Sequence, residues 1–401
     1  MTSTTRVRPR ARLVLLAVAA TCLVTVGTAA SRPVAPARLV KAASMRVAVL
    51  MPAGGYFQVQ NQLIDQGARV AVDEINTKGG IDGSTKVDLV SEKLAPDADP
   101  QAVMSGLRAR STAVVVLPCD IDATSSLAKA GSRLGLLMLL PCDPNPRLGT
   151  SYATLWPVGM PGNEQIAQLV AFASRNNTPT AYILTAKGPA YLTELTNYYR
   201  EAAKLLGIKI VGESEVPLTG VKTPALAHEL ARLHAAAIFT PIFSPFLQPI
   251  VVGLRAHGFY LPVYAPDGMD ADLKLARYGK NLESLVIGSF GFPGPDAKQF
   301  LKDYKRAYQK TVEGSFPSLG FETIKVLEAA ALKARSPDPE AINKAFLRGF
   351  SVPGVALGEI VYPGKGVHQP VTFAGVARII RGQHVALFSG DPVGTMPIPA
   401  A

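Results

Sequence analysis

Residues 65–80, DQGARVAVDEINTKGG, carry the pattern on which the fold turns. Ala68, Ala71, Val72 and Ile75 fall at i, i+3, i+4 and i+7, which puts them on one face of a helix. Gly79-Gly80 ends that helix, since glycine takes the left-handed turn after a helix without a Cβ clash. Just upstream, MRVAVLM (45–51) is a β-branched run of strand length, closed by the turn PAGG (52–55). A buried strand, a turn and a one-faced helix make the first half of a β-α-β unit, and the chain repeats it. KVDLVSE (86–92), TAVVVLP (112–118) and LLMLLP (136–141) read as strands, with DPQAVMSGLRAR (99–110) and SSLAKAGSRLG (125–135) as helices between them. Successive units of this kind give a parallel sheet with right-handed crossovers.

The pattern restarts after LWPVGMPGN (155–163). EQIAQLVAFASRN is helical, TAYILT is a strand, and YLTELTNYYREAAKLLG is a helix with Leu192, Leu195, Tyr199, Ala202 and Leu206 on one stripe. Further strands are read in IKIVGESEV, AAAIFTPIF, LPVYAP and SLVIGSF. Two long amphipathic helices follow, and a tail of short strands broken by Gly and Pro. Two doubly wound α/β lobes fit 401 residues and the restart better than one large sheet.

The N-terminus is ordered as a secretory signal. Arg6, Arg8, Arg10 and Arg12 precede the apolar run Leu13 to Val26, and small residues follow, with cleavage expected after Ala29 or Ala30. The run is shorter than the ~20 residues a spanning helix needs. Export to the periplasm or another extracytoplasmic space is the expectation, with lipid anchoring at Cys22 as the minor alternative. Removing residues 1–30 lowers the formal charge from +11 to +7, because four arginines and no acids are lost. The remaining basic residues are dispersed among acids, which argues against nucleic-acid binding. Residues 31–44, rich in Ala, Pro and basic side chains, read as a flexible leader.

Ligands in open parallel sheets sit beyond the carboxyl ends of strands, where loop amides and helix N-termini converge. That edge of the first lobe carries MPAGGYFQVQ (51–60), PCDIDATSS (118–126) and PCDPNPRLG (141–149). The tetrapeptide Leu-Pro-Cys-Asp thus occurs twice at one edge, ending at Asp120 and Asp143. Zinc sites usually show CxxC or His spacing. None is present, and His228, His234, His257, His368 and His384 form no HxxxH pair. A catalytic thiol wants a basic neighbourhood, which Asp120 and Asp143 oppose. A disulfide Cys119–Cys142 and two unpaired thiols are the two readings that remain, the first within reach because neighbouring strands lie ~4.8 Å apart. There is no GxSxG, no GxxxxGK[ST] and no strand-linked GxGxxG, so nothing points to an enzyme, a metal or a cofactor.

The strings GARVAVDEINTKGGIDG (67–83), DADPQAV (97–103) and LGLLMLLP (134–141), with FSPFLQPIVVGLRAHGF, VYAPDGM and GEIVYPGKG in order behind them, resemble the type I periplasmic binding proteins of the branched-chain amino acid class, the receptors of ABC importers. The resemblance covers roughly residues 45 to 388. It implies two lobes joined by three crossovers, near Trp156–Pro161, Ser289–Pro295 and Val355–Glu359. The division expected is 45–158 plus 293–354 for lobe one, 159–292 plus 355–390 for lobe two, and a tail at 391–401. It also implies a monomer that takes a small-molecule ligand and meets membrane permease and ATPase subunits. A sensory module of the same fold, or an exported hydrolase or lyase using the aspartates, are the alternatives.

Carried over residue by residue, the acid that holds a ligand ammonium corresponds to Asp267, and a second-lobe tyrosine to Tyr191. An aromatic position falls on Phe243, while the first-lobe loop offers Tyr56 and Phe57. Relatives clasp an α-carboxylate with small hydroxyls and backbone amides in the two loops that here hold Asp120, Asp122 and Asp143. Fixed carboxylates oppose a carboxylate ligand, and each proline removes an N–H donor. Either these aspartates point away, or the ligand is an amine, amide, polyol or donor-bearing aromatic. In leucine-binding relatives the cysteine matching Cys119 can pair with one just before an Asp-Pro. Here that neighbour is Ala98, which leaves Cys142 as the partner in the mature chain.

Overall fold

The computed structural model describes residues 44–271, 275–283 and 285–390. Residues 1–30, read above as a signal, Cys22 among them, the 391–401 tail and all of the leader but Ser44 lie outside the described residues.

The first run of elements is β1 (Ser44–Pro52), α1 (Gln58–Thr77), β2 (Lys86–Leu94), α2 (Pro100–Ala109), β3 (Val114–Val116), α3 (Ile121–Arg133), β4 (Leu137–Leu140), α4 (Leu148–Ser151) and β5 (Leu155–Pro157). The strands form a five-stranded sheet in the order β2-β1-β3-β4-β5, parallel throughout. Both faces are covered, so the inner strands β1, β3 and β4 read as continuous apolar runs instead of alternating ones. Val47, Val49, Val114, Val116, Leu137 and Leu139 pack against α1 and later helices. Ala48, Leu50, Val115, Met138 and Leu140 face α2 and α3 on the other side. Local chemistry sets the helix starts: Asp99 accepts from the Gln101 and Ala102 amides with Pro100 in the first turn, and Asp120 accepts from the Asp122 amide. Gly80, at φ 104°, closes α1 where a Cβ would strike the Thr85 backbone.

The second run is α5 (Gly162–Arg175), β6 (Thr180–Ala186), α6 (Ala190–Leu205), β7 (Lys209–Val216), α7 (Thr223–Arg232), β8 (Ile238–Phe239), α8 (Leu247–Ala256), β9 (Val263–Ala265) and β10 (Leu285–Ser289). Then come α9 (Lys298–Tyr308), α10 (Phe316–Ala334), α11 (Pro339–Arg348), β11 (Phe350–Pro353), β12 (Glu359–Tyr362), β13 (Ala374–Ile380) and β14 (Gln383–Gly390). The second sheet runs β14-β13-β10-β9-β8-β6-β7, with β6 to β10 parallel, β13 antiparallel to β10, and β14 antiparallel to β13. Helices α9, α10 and α11 return to the first sheet, where Phe300, Leu319, Ile324 and Phe346 join its core.

The chain therefore crosses between two doubly wound lobes three times: after β5, after β10, and between β12 and β13. The third crossing falls later than the 355–359 expected from sequence. β12 still pairs with β11, and Tyr362 packs edge-on to Trp156 of the first lobe. Buried Glu322 of α10 accepts from the Ala356 and Leu357 amides, at 2.7 and 3.0 Å, and holds that turn on the first lobe. Among the described residues no helix is long and apolar enough to cross a membrane.

Candidate functional site

The carboxyl ends of the two parallel sheets face each other. Loops after β1, β3 and β4 meet loops after β9 and the start of α6 around a partly open cavity, with about 30 Å³ for the centre of a water-sized sphere. Phe57, Asp120 and Asp143 line it from the first lobe, Tyr191 and Asp267 from the second.

Asp267 begins a 3-10 turn after β9. The Tyr191 hydroxyl donates to its Oδ1 at 2.9 Å, and that hydroxyl accepts from the Gly268 amide at 3.2 Å. The Asp267 amide donates to Gln165 Oε1 at 3.1 Å, tying the turn to α5. Burial pushes the Asp267 carboxyl up to about 6, against the Tyr191 hydrogen bond, which lowers it.

Asp143 is buried. Its Oδ1 accepts from the Asn145 amide at 2.8 Å, while Oδ2 has no partner. The Thr124 hydroxyl lies 2.7 and 2.6 Å from the Pro118 and Asp120 carbonyls, either of which can accept its proton, and its proximity to Asp143 lowers that carboxyl's pKa. Burial pushes the Asp143 carboxyl up to about 7. Asp120 is also raised, first by burial and then by the charge of Asp122.

The remaining expected residues do not line this cavity. Asp122 is exposed and accepts from the Ala190 amide at 3.4 Å, a bond from one lobe to the other. Phe243 is buried behind the cavity wall, with its ring centre 5.1 Å from Phe57 and 5.8 Å from Tyr191. Tyr56 is 46% exposed and lies at the rim, against Phe243 and Phe246. Phe57 meets Tyr191 at 5.2 Å, so an aromatic cluster bridges the lobes.

Cys119 and Cys142 are joined as a disulfide with Cα atoms 5.2 Å apart, on loops leaving neighbouring strands at equal height. Among the described residues no group of three or more His, Cys, Asp or Glu side chains is placed to hold a metal ion.

Sequence reasoning passed over Gln60, Asn61 and Gln165. Asn61 donates to the Phe57 and Cys119 carbonyls and accepts from the Cys119 amide, so it fixes the third-strand loop to α1. Their signal is present in the sequence: each is a polar residue on the buried face of an amphipathic helix.

The raised carboxyls have a consequence for stability. Asp143, Glu164 and Glu322 are pushed up to about 7 and Asp267 to about 6, in each case mainly by burial. A carboxyl whose pKa is higher in the folded chain binds more protons there than in the unfolded chain. Its stabilising contribution is full below about pH 4 and is lost as pH rises through 6 to 7. The ligand-free protein should melt at a higher temperature at pH 5 than at pH 8. The loss is up to about 1.4 kcal/mol per group for each pH unit in that window. A melting temperature that rises from pH 5 to pH 8 would show these carboxylates ionised and satisfied.

A family model described as periplasmic binding protein matches residues 44–383. No curated protein matches the sequence. Among solved structures, a leucine-binding protein LivK from Thermotoga maritima superposes with a TM-score of 0.74 at 19% identity, over 87% of this chain and 99% of that one. LivJ of Streptococcus pneumoniae, solved with isoleucine, gives 0.75 at 19% identity, over 87% and 100%. A solute-binding protein from R. palustris, solved with benzoate, gives 0.72 at 15% identity, over 87% and 97%. At these identities the likeness is one of fold. Two doubly wound lobes, three crossings, a cavity at the facing strand ends and a match over residues 44–383 lead to one assignment: the chain belongs to the periplasmic binding protein family.

Proposed function

We propose that this protein is an exported solute receptor. It captures a small polar ligand between its lobes and delivers it to the permease and ATPase subunits of an ABC importer, without catalysis of its own. The observation that carries the reading is the cavity at the facing sheet edges, walled by Asp143 and Phe57 of one lobe and Tyr191 and Asp267 of the other. Ligand contacts from both lobes favour the closed arrangement, and three crossing segments serve as the hinge. The lobes comprise residues 45–158 with the return segment that runs through β12, and 159–292 with β13 and β14. The protein acts as a monomer outside the cytoplasm, and the basic-apolar-small N-terminus supports export. The structural neighbours solved with isoleucine and with benzoate support a small organic solute.

A thermal-shift screen over amino acids, amines, amides, polyols and aromatic acids tests the reading, because a ligand that binds the folded state raises its melting temperature by mass action. The ligand should be recovered unchanged after incubation, whereas a hydrolase or lyase would consume it. For the ligand so identified, Asp267→Ala should weaken binding more than tenfold, about 1.4 kcal/mol or more. Wild-type affinity in that variant, measured by calorimetry, would remove Asp267 from the site.

A further inference from the structure

From the polar atoms around the cavity we infer that the ligand is a small organic cation, a protonated primary or secondary amine with a compact apolar body and no carboxylate. This rests on the reading of the cleft as a solute site.

Six backbone donors at or beside the cavity already serve the chain's own acceptors. The Cys119 amide donates to Asn61 Oδ1 at 2.8 Å, that of Asp122 to Asp120 at 3.2 Å, and that of Asn145 to Asp143 at 2.8 Å. The Gly162 amide donates to the Pro144 carbonyl at 3.2 Å, that of Asp267 to Gln165 at 3.1 Å, and that of Gly268 to the Tyr191 hydroxyl at 3.2 Å. No Lys, Arg or His is among the described residues lining the cavity.

Acceptors, by contrast, are in surplus. Asp143, 8% exposed, keeps Oδ2 without a partner, and Gln60, 4% exposed, keeps Oε1 without one. Both residues line the cavity, with Asp120 and Asp267. An unpaired buried acceptor loses the hydration it had in water and regains it only from a donor. A cationic N–H also favours ionised carboxylates, and its hydrogen bonds to them are stronger than neutral ones. Phe57, Phe290, Phe316 and Leu195 supply the wall for an apolar body, and ring faces attract a cation. A quaternary ammonium would match the charge and leave the acceptors unpaired.

Burial holds the Asp143 carboxyl up to about 7, against the Asn145 amide and the Thr124 hydroxyl, which lower it, and with Asp120 and Glu194 raising it further. An amine that binds beside it displaces a proton, so affinity should rise from pH 5 to pH 8, a range over which the alkylamine stays charged.

The test is a matched series titrated calorimetrically into the purified protein. It comprises 3-methylbutylammonium, L-leucine (the same body with a carboxylate), 4-methylpentanoate (the leucine body without its ammonium) and tetramethylammonium. The amine is expected to bind at least tenfold tighter than each of the other three, to lose at least tenfold in Asp143→Asn, and to weaken at pH 5. Tighter binding of L-leucine or 4-methylpentanoate would overturn the cation assignment and leave a solute receptor standing. So would tetramethylammonium binding equal to the amine. If none of the four binds, nor any compound of the wider screen, both readings fall. The wild-type comparison needs no variant, so a misfolded Asp143→Asn protein would not decide the outcome.

Discussion

Cys119→Ser is expected to lower the stability of the oxidised protein by about 3 kcal/mol, the loop-closure value for a bridge spanning roughly 23 residues. The melting temperature should fall by about 4 °C for a chain of this size. The two cysteines stand 23 positions apart on loops leaving β3 and β4, whose Val116 and Leu139 are level in register. Each cysteine follows its level residue by three positions, which brings the Cα atoms to 5.2 Å. The bridge joins the loops that carry Asp120 and Asp143, so its loss should also loosen the first-lobe wall of the cavity. With reductant present throughout, wild type and variant should melt together. A free-thiol count in denaturant that rises by two on reduction is the direct check. Equal counts with and without reductant would mean that no bridge forms.

Gly320→Ala should destabilise the protein by about 2 kcal/mol, or about 3 °C in melting temperature. Gly320 of α10 lies against α1, where an added Cβ would meet the carbonyl, carbonyl carbon and Cα of Ile64. Gly67 of α1 faces the Pro317 carbonyl of α10 in the same way. The obstacle is backbone on both sides, so no rotamer change relieves it, and the helices must separate. That separation opens contacts among Ile64, Leu319 and their neighbours in the first-lobe core. Alanine's higher helix propensity, worth about 1 kcal/mol, offsets part of the loss. Gly106→Ala in α2 is the control. Its Cβ would meet only Arg110 Nη1, at 3.3 Å, the end of a flexible side chain. That variant should be as stable as wild type or more so, and equal melting temperatures for the two variants would refute the packing argument.

Much of the fold was legible because its signals are local. The i, i+3, i+4, i+7 face of α1, the glycines after it and the β-branched strand before it need no distant partner to be read. The twin Leu-Pro-Cys-Asp segments also placed Cys119 and Cys142 at one edge, since chain order in β-α-β units sets which strand ends share it. The carry-over to Asp267 and Tyr191 puts side by side two residues that the structure joins by a 2.9 Å hydrogen bond. Local signals misplaced the third crossing, because GEIVYPGKG reads as strand and turn in either lobe. Only the pairing of β12 with β11 and the contact of Tyr362 with Trp156 hold it on the first.

By itself the sequence determined the order of strands and helices, the division into two doubly wound lobes and which strand ends share one edge. Tertiary structure decided which polar groups at that edge are already satisfied. The Asn61 side chain reaches Cys119 across 58 positions, and the Asp267 amide reaches Gln165 across 102. Asp122 turns outward to the Ala190 amide, while Asp143 stays inside with one oxygen unpaired. Periodicity records which face of an element is buried. Whether a buried donor or acceptor finds a partner depends on groups brought near through space, which no local pattern records.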